Sequence, residues 1–209
     1  MKTVSRYLML LLVAAGCGAQ RTQNAPPVPA ATPAPVLAGM TVMVFPVQYG
    51  SVPVAQAGVQ HFAIERPKLD AEIAYWLQQN AGNVRWILPE TIQRTITRSP
   101  ALNVDITNLA VTAFQHAQVR RIGDPLFGDL RKLAAVLDGR LALIPVAAEL
   151  IGATPDQARV QVAVAVIDAL DGNVLWFGIL ESDADARGAE AGIASAAQAM
   201  STAFGGKKN

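Results

Sequence analysis

The chain has one cysteine and two histidines among its 209 residues. A single thiol cannot close an internal disulfide. His61 and His116 lie far apart, with no cysteine near either, and do not supply the three or four ligands of a zinc site. Basic runs are equally scarce. Arg120-Arg121, Arg131-Lys132 and Lys207-Lys208 are the only basic doublets, and past Lys2 and Arg6 fifteen basic residues face sixteen acidic ones. Displacing counterions from a phosphate backbone takes a basic stripe, so nucleic acid is not an expected partner. Long apolar runs are missing too. The N-terminal run Tyr7–Ala15 covers nine residues, whereas a helix needs about 20 to cross a hydrocarbon core of roughly 30 Å. No internal repeat is visible.

What the N-terminus does contain is an address. Lys2 and Arg6 form a short basic start, Tyr7–Ala15 is apolar throughout, and Ala15-Gly16 directly precedes Cys17. This is the order of a secretory signal peptide. The small pair before the cysteine resembles a bacterial lipobox, with cleavage between Gly16 and Cys17 and acylation of Cys17. Lipoboxes usually carry Leu where this chain has Ala14. Ordinary cleavage after Ala19, with small residues at Cys17 and Ala19, is the alternative. Acylation would also dispose of an exposed thiol in an oxidising compartment. Gly18 after the cysteine is not the Asp that resembles an inner-membrane retention signal, so an outer-membrane lipoprotein facing the periplasm is the expected location.

Residues 17–38 form an expected tether. Pro26, Pro27, Pro29, Pro33 and Pro35 stand among alanines, a composition that favours extended chain over a packed core, reaching roughly 65 Å at about 3.1 Å per residue. Residues 39–205 then read as one α/β domain, with 206–209 as a disordered tail. Thr41–Val47 is an apolar, β-branched run ending near Pro46, and Val84–Leu88 is a second strand. Between them Pro67 opens a helix whose Leu69, Ile73, Trp76 and Leu77 share one face, with Asp70 and Glu72 near its positive end. Pro89 starts another short helix.

Residues 101–123 fit neither period. Asp124-Pro125 then suits a helix start, Leu126, Leu130, Leu133 and Leu137 follow at helical spacing, and Asp138-Gly139 suits a stop with Gly139 at positive φ. Arg140–Ile151 reads as a strand despite Pro145. Arg159–Leu170 alternates valine and alanine. Asp171-Gly172-Asn173 reads as a two-residue hairpin turn before the strand Val174–Leu180. An alanine-rich helix from about Arg187 to Phe204 closes the domain. The expected fold is a mixed parallel/antiparallel α/β sheet covered by helices, with a C-terminal three-strand meander and a final helix.

Candidate chemistry is thin. Gly123–Gly128 has the glycine spacing of a phosphate loop without the lysine, and Pro125 reads better as a helix start. Asp168 and Asp171-Gly172 lack the ligand spacing of a calcium loop. Glu181, Asp183 and Asp185 alternate along a strand end, where solvation explains them as well as a cation would. Trp76, Trp86 and Trp176 fall on core-facing positions. No catalytic residue, cofactor or metal ligand is assigned; Cys17 and Gly16 are the only site residues.

Three stretches carry a resemblance: Val42-Met-Val-Phe-Pro-Val47, Leu141-Ala-Leu-Ile-Pro-Val146 and Val164-Ala-Val-Ile-Asp-Ala-Leu-Asp-Gly-Asn-Val-Leu-Trp176. With the lipobox and tether, the chain resembles bacterial envelope lipoproteins whose α/β domain is like that of CsgG, LpoB and the TolB N-terminal domain. The resemblance implies a non-enzymatic domain that contacts membrane lipid through Cys17 and binds an envelope protein or itself. A CsgG-like pore is not implied, because only residues 101–123 are spare and they do not alternate as membrane hairpins do. The competing expectation is a secreted enzyme or small-ligand-binding protein that uses the loops 48–66 and 101–123.

Overall fold

The computed structural model describes residues 33–35, 37–49, 52, 59–80, 82–115 and 119–205. The signal segment 1–16, Cys17, the tether through residue 32, His116 and the tail 206–209 lie outside the described residues. Among the described residues no helix is long and apolar enough to cross a membrane.

The elements are β1 (Thr41–Val44), β2 (Gln60–Phe62), α1 (Arg66–Gln79), β3 (Arg85–Ile87), α2 (Pro89–Arg98), α3 (Leu126–Leu137), β4 (Leu141–Gly152), β5 (Arg159–Asp168), β6 (Val174–Glu181) and α4 (Gly188–Gly205). They build a mixed sheet in the order β3-β1-β4-β5-β6. β1 pairs in parallel with β3 and β4, while β4, β5 and β6 form the expected antiparallel meander. β4 is the spine. One edge of it takes β1 against Leu141–Leu143 and then β2, antiparallel, against Leu150–Gly152.

Pro145 sits in β4 because it falls in the gap between those two partners. Its carbonyl accepts from the Gln48 backbone N–H at 2.9 Å, beyond the end of β1, and the β4–β5 register shifts between Pro145 and Ala147. A missing N–H in a gap and a bulge costs the ladder nothing.

Alternation in β5 gives the sheet two different faces. Val160, Val162, Val164 and Val166 pack with Leu69, Ile73 and Leu77 of α1 and with Ile193, Ala196 and Met200 of α4. Ala163 and Ala165 lie on the other face under α2, α3 and the irregular stretch 101–123. That stretch, unreadable by period, is core: Val104, Ile106, Leu109, Val111 and Phe114 are all buried. The small alanines leave room for rings, and Phe114 meets Phe177 of β6 at 5.1 Å between centroids. Two residues from the expected tether, Ala34 and Leu37, pack on the valine face, and Leu37 is only 2% exposed.

Two local expectations are corrected. At the end of α3 the positive φ belongs to Asp138 (52°), not to Gly139. Gly139 is required for space instead, since a Cβ there would stand 2.6 Å from Met43 Cγ. The β5–β6 hairpin exists, but its turn is not a two-residue one. The chain reverses through residues 169–173, closed by Asp168 N–H to Asn173 O (2.9 Å) and Gly172 N–H to Asp168 O (2.8 Å). Asp168 and Asp171 fix this longer loop by accepting from the backbone of Leu170 and Asn173. Arg140 also binds Asp168 at 2.8 Å, tying the start of β4 to the end of β5.

Gly172 remains the critical turn residue. Its φ is 77°, and a Cβ would meet Phe127 Cδ2 at 3.0 Å. Gly172→Val forces a β-branched residue into left-handed backbone and a tight contact, costing on the order of 1–3 kcal/mol. The expected result is a Tm several degrees lower; an unchanged melt would show that the loop relaxes to another conformation.

Candidate functional site

The carboxyl end of β1 is where loops leaving the parallel strands part company. The chain after β1 goes to α1 on the valine face, whereas the chain after β3 goes to α2 on the alanine face. Open α/β sheets place their crevices at such a point. Here a cleft of about 500 Å³ opens, lined among others by Pro46, Tyr49, Ile64, Arg66, Asp70 and Thr107. Tyr49, Ile64, Glu65 and Arg66 of the stretch 48–66 and Thr107 of the stretch 101–123 therefore line one cleft.

Gln48 builds that convergence. Its side chain is 1% exposed. The amide Nε2 donates to Pro46 O at 2.6 Å and to Ile106 O at 2.9 Å, and Oε1 accepts from Leu109 N–H at 2.8 Å. The irregular stretch has no ladder, so its buried backbone groups need side-chain partners, and Gln48 supplies two of them.

Arg66 and Tyr49 form the cleft's outer wall. The guanidinium carbon stands 3.6 Å from the ring centroid, while the ring itself is 72% exposed. Stacking fixes the plane of the guanidinium yet leaves its N–H edge free, because Arg66 has no hydrogen-bond acceptor among the described residues. Lys68 is different: its ammonium is held by Glu190 of α4 at 2.9 Å.

Asp70 lies deeper. The sequence places it near the helix's positive end, where it lies, and the structure adds a tie to another segment, for its Oδ1 accepts from Val47 N–H at 2.8 Å. Burial pushes its carboxyl up to about 6, against the smaller opposing effects of the Val47 N–H and nearby Arg66.

The other sequence candidates are used structurally. His61 hydrogen-bonds Glu149 at 2.7 Å, and Glu149 also accepts from Val52 N–H. Glu181 is engaged by Arg159 at 3.0 Å and by Gln161 at 2.7 Å, while Asp183 binds Ser195 through its backbone N–H. Asp124 stands one residue before the N-cap of α3, which is Pro125, and accepts from Gly128 N–H at 3.0 Å. Trp176 is a core residue against Phe204, and Trp76 and Trp86 pack at the margin of the same face. Cys17 and Gly16 lie outside the described residues.

Tyr49, Arg66 and Asp70 were not singled out as a site by sequence. They are far apart in pattern terms, and the only signal was negative: a long stretch after β1 with no period of its own.

The fold and this cleft define an open mixed α/β domain with a crevice at the carboxyl end of its first parallel strand. No family model matches the chain, and no curated protein matches it. Solved structures similar to it include lipoprotein GNA1162 from Neisseria meningitidis, at 15% identity and TM-score 0.37 over 68% of this chain and 78% of that one. The LpoB C-terminal domain from Escherichia coli matches at 15% identity and TM-score 0.38, over 71% and 85%. A PelC dodecamer from Paraburkholderia phytofirmans matches at 15% identity and TM-score 0.37, over 81% and 91%. A likeness at this level assigns no residue a role. The similarity to CsgG and the TolB N-terminal domain stays an expectation.

Gln48→Leu would leave Leu109 N–H and Ile106 O buried without partners, at a cost of about 2–4 kcal/mol. A lower Tm is expected, with faster amide exchange in residues 104–111; unchanged exchange there would show that Gln48 does not hold the stretch. Asp70 makes a pH-dependent prediction. Its folded pKa is raised, so its contribution is complete below about 4 and lost as pH rises through about 6. Asp70→Asn keeps an oxygen for Val47 N–H and does not titrate. The Tm of the variant relative to the parent should therefore climb between pH 4 and pH 7, whereas a difference flat over that range would contradict the buried carboxylate.

Proposed function

We propose that the chain is a lipid-anchored, non-enzymatic protein-interaction module of the bacterial cell envelope, held at the outer membrane and facing the periplasm. The observation that carries this reading is the N-terminal order itself. A basic start and a nine-residue apolar run end in Ala15-Gly16-Cys17, and a proline-rich stretch follows, leading to Leu37 in the domain core. Each buried methylene contributes about 0.8 kcal/mol and one acyl chain binds only marginally, so a diacylglyceryl group with an additional N-acyl chain on Cys17 gives a firm anchor.

A second reading, a secreted ligand-binding protein or enzyme, is favoured by one finding: the loops 48–66 and 101–123 share a cleft. Its lining offers two carboxyl groups, the inner Asp70 and the exposed Glu65, and a stacked cation, and Asp70 is hydrogen-bonded to backbone rather than to a nucleophile. The arrangement suits recognition better than bond-making.

Cys17→Ser should move the protein from the membrane fraction to the soluble fraction or leave it unprocessed. Intact mass of the mature protein decides the point. A lipid-modified mass beginning at Cys17 is expected, and an unmodified mass beginning at Gln20 would overturn the lipoprotein reading.

A further inference from the structure

We infer that the cleft at the carboxyl end of β1 is the docking site for an extended segment of a partner protein, one that presents an aspartate or glutamate beside an apolar side chain. The inference rests on the proposed role as an interaction module and names the chemistry of the partner.

Three observations select this occupant. The first is Arg66. Its guanidinium is oriented by the Tyr49 ring at 3.6 Å and has no acceptor among the described residues. A stacked guanidinium with its fork unused is arranged for a planar, bidentate anion such as a carboxylate. Lys68 does not compete for it, since Glu190 already holds that ammonium. The second is the apolar lining. Pro46, Ile64 and Pro67 stand beside the charged groups, and a space of about 500 Å³ falls within the range that takes a few side chains. A free inorganic anion would leave that lining bare. The third is Asp70 below them. One of its oxygens takes Val47 N–H at 2.8 Å, and the other has no donor among the described residues. An extended peptide brings the missing donor, a backbone N–H, together with the carboxylate that Arg66 needs.

The walls are also built to hold their shape before a partner arrives. Gln48 pins the Thr107 side through Ile106 and Leu109, and Asp70 pins the Val47 side to α1. Little ordering is left to be done on binding, which favours affinity from a small contact area.

The test is photo-crosslinking in living cells with the full, anchored chain. A benzoylphenylalanine at Glu65, an exposed rim position whose side chain makes no cap bond, probes the cleft. The same group at Tyr75 and at Leu175, both exposed elsewhere, serves as control. A discrete protein adduct is expected at Glu65. Arg66→Glu should reduce it about tenfold or more and Arg66→Lys less, because an ammonium keeps the charge but not the fork. Arg66→Glu also removes the cation that favours ionised Asp70, so a melt on each variant verifies that the fold is retained before adducts are compared. Mass spectrometry of the adduct should place the crosslink in a segment with an acidic residue next to an apolar one. An adduct indifferent to Arg66→Glu, or one in a segment without a carboxylate, overturns the cleft assignment. Adducts only at Tyr75 or Leu175 overturn it too but leave the interaction module standing. No protein adduct at any of the three positions overturns both.

Discussion

One buried amide carries much of this architecture. Between α2 and α3 the described residues cross the alanine face of the sheet with only the short 3-10 turns Pro100–Leu102 and Thr112–Gln115, and a buried segment of that kind leaves backbone groups between its turns without ladder partners. Gln48 resolves the conflict at its tightest point by taking Leu109 N–H and giving to Ile106 O, while its own N–H reaches Pro145 in β4. With those groups satisfied, Val104, Ile106, Leu109, Val111 and Phe114 can be buried as a layer in their own right. A polar residue in the core is here what allows an irregular segment to be core at all.

The two faces of the sheet then follow from side-chain size. Valines on β5 meet the alanine-rich side of α4, so bulk on the sheet is matched by close approach of the helix. Alanines on the opposite face meet Phe114 and Phe177, so bulk in the cover is matched by a shallow sheet. Either face with the other's cover would be overpacked or void, and both faults cost stability at close packing. The sheet is thus directional, with helices α1 and α4 belonging to one side only.

How much of this was legible depended on whether a residue acts through its neighbours in sequence or through distant ones. The leucines of α3 and the valine–alanine alternation of β5 act locally, and the sequence located both elements to within a few residues. The helix starts at Pro67 and Pro89 are legible for the same reason, since a fixed φ needs no tertiary partner. Turn geometry was less so. Asp171-Gly172 signals a hairpin, yet Asp168 and the strand Arg121–Asn173 bridge lengthen the loop, and neither is visible from the dipeptide. Residues 101–123 were opaque because their burial is set by Gln48, more than fifty positions earlier. Asp70 was read only in part for a kindred reason: its place near the helix start is local, but its bond to Val47 N–H spans twenty-three positions. The cleft residues share this property, so a site assembled from Tyr49, Arg66, Asp70 and Thr107 has no local signature to find.

The polarity of β1 links the cleft to the proposed anchor. The chain enters the domain through Leu37 at the amino end of this strand, and Pro46, Val47 and Tyr49 of the cleft follow its carboxyl end. Tether and cleft therefore sit at opposite ends of one strand, and no fold of the tether's last residues is needed to keep them apart. On the proposed anchoring, a chain fixed at Cys17 and extended as far as Ala34, where packing on the domain begins, carries the domain up to roughly 50 Å from the membrane.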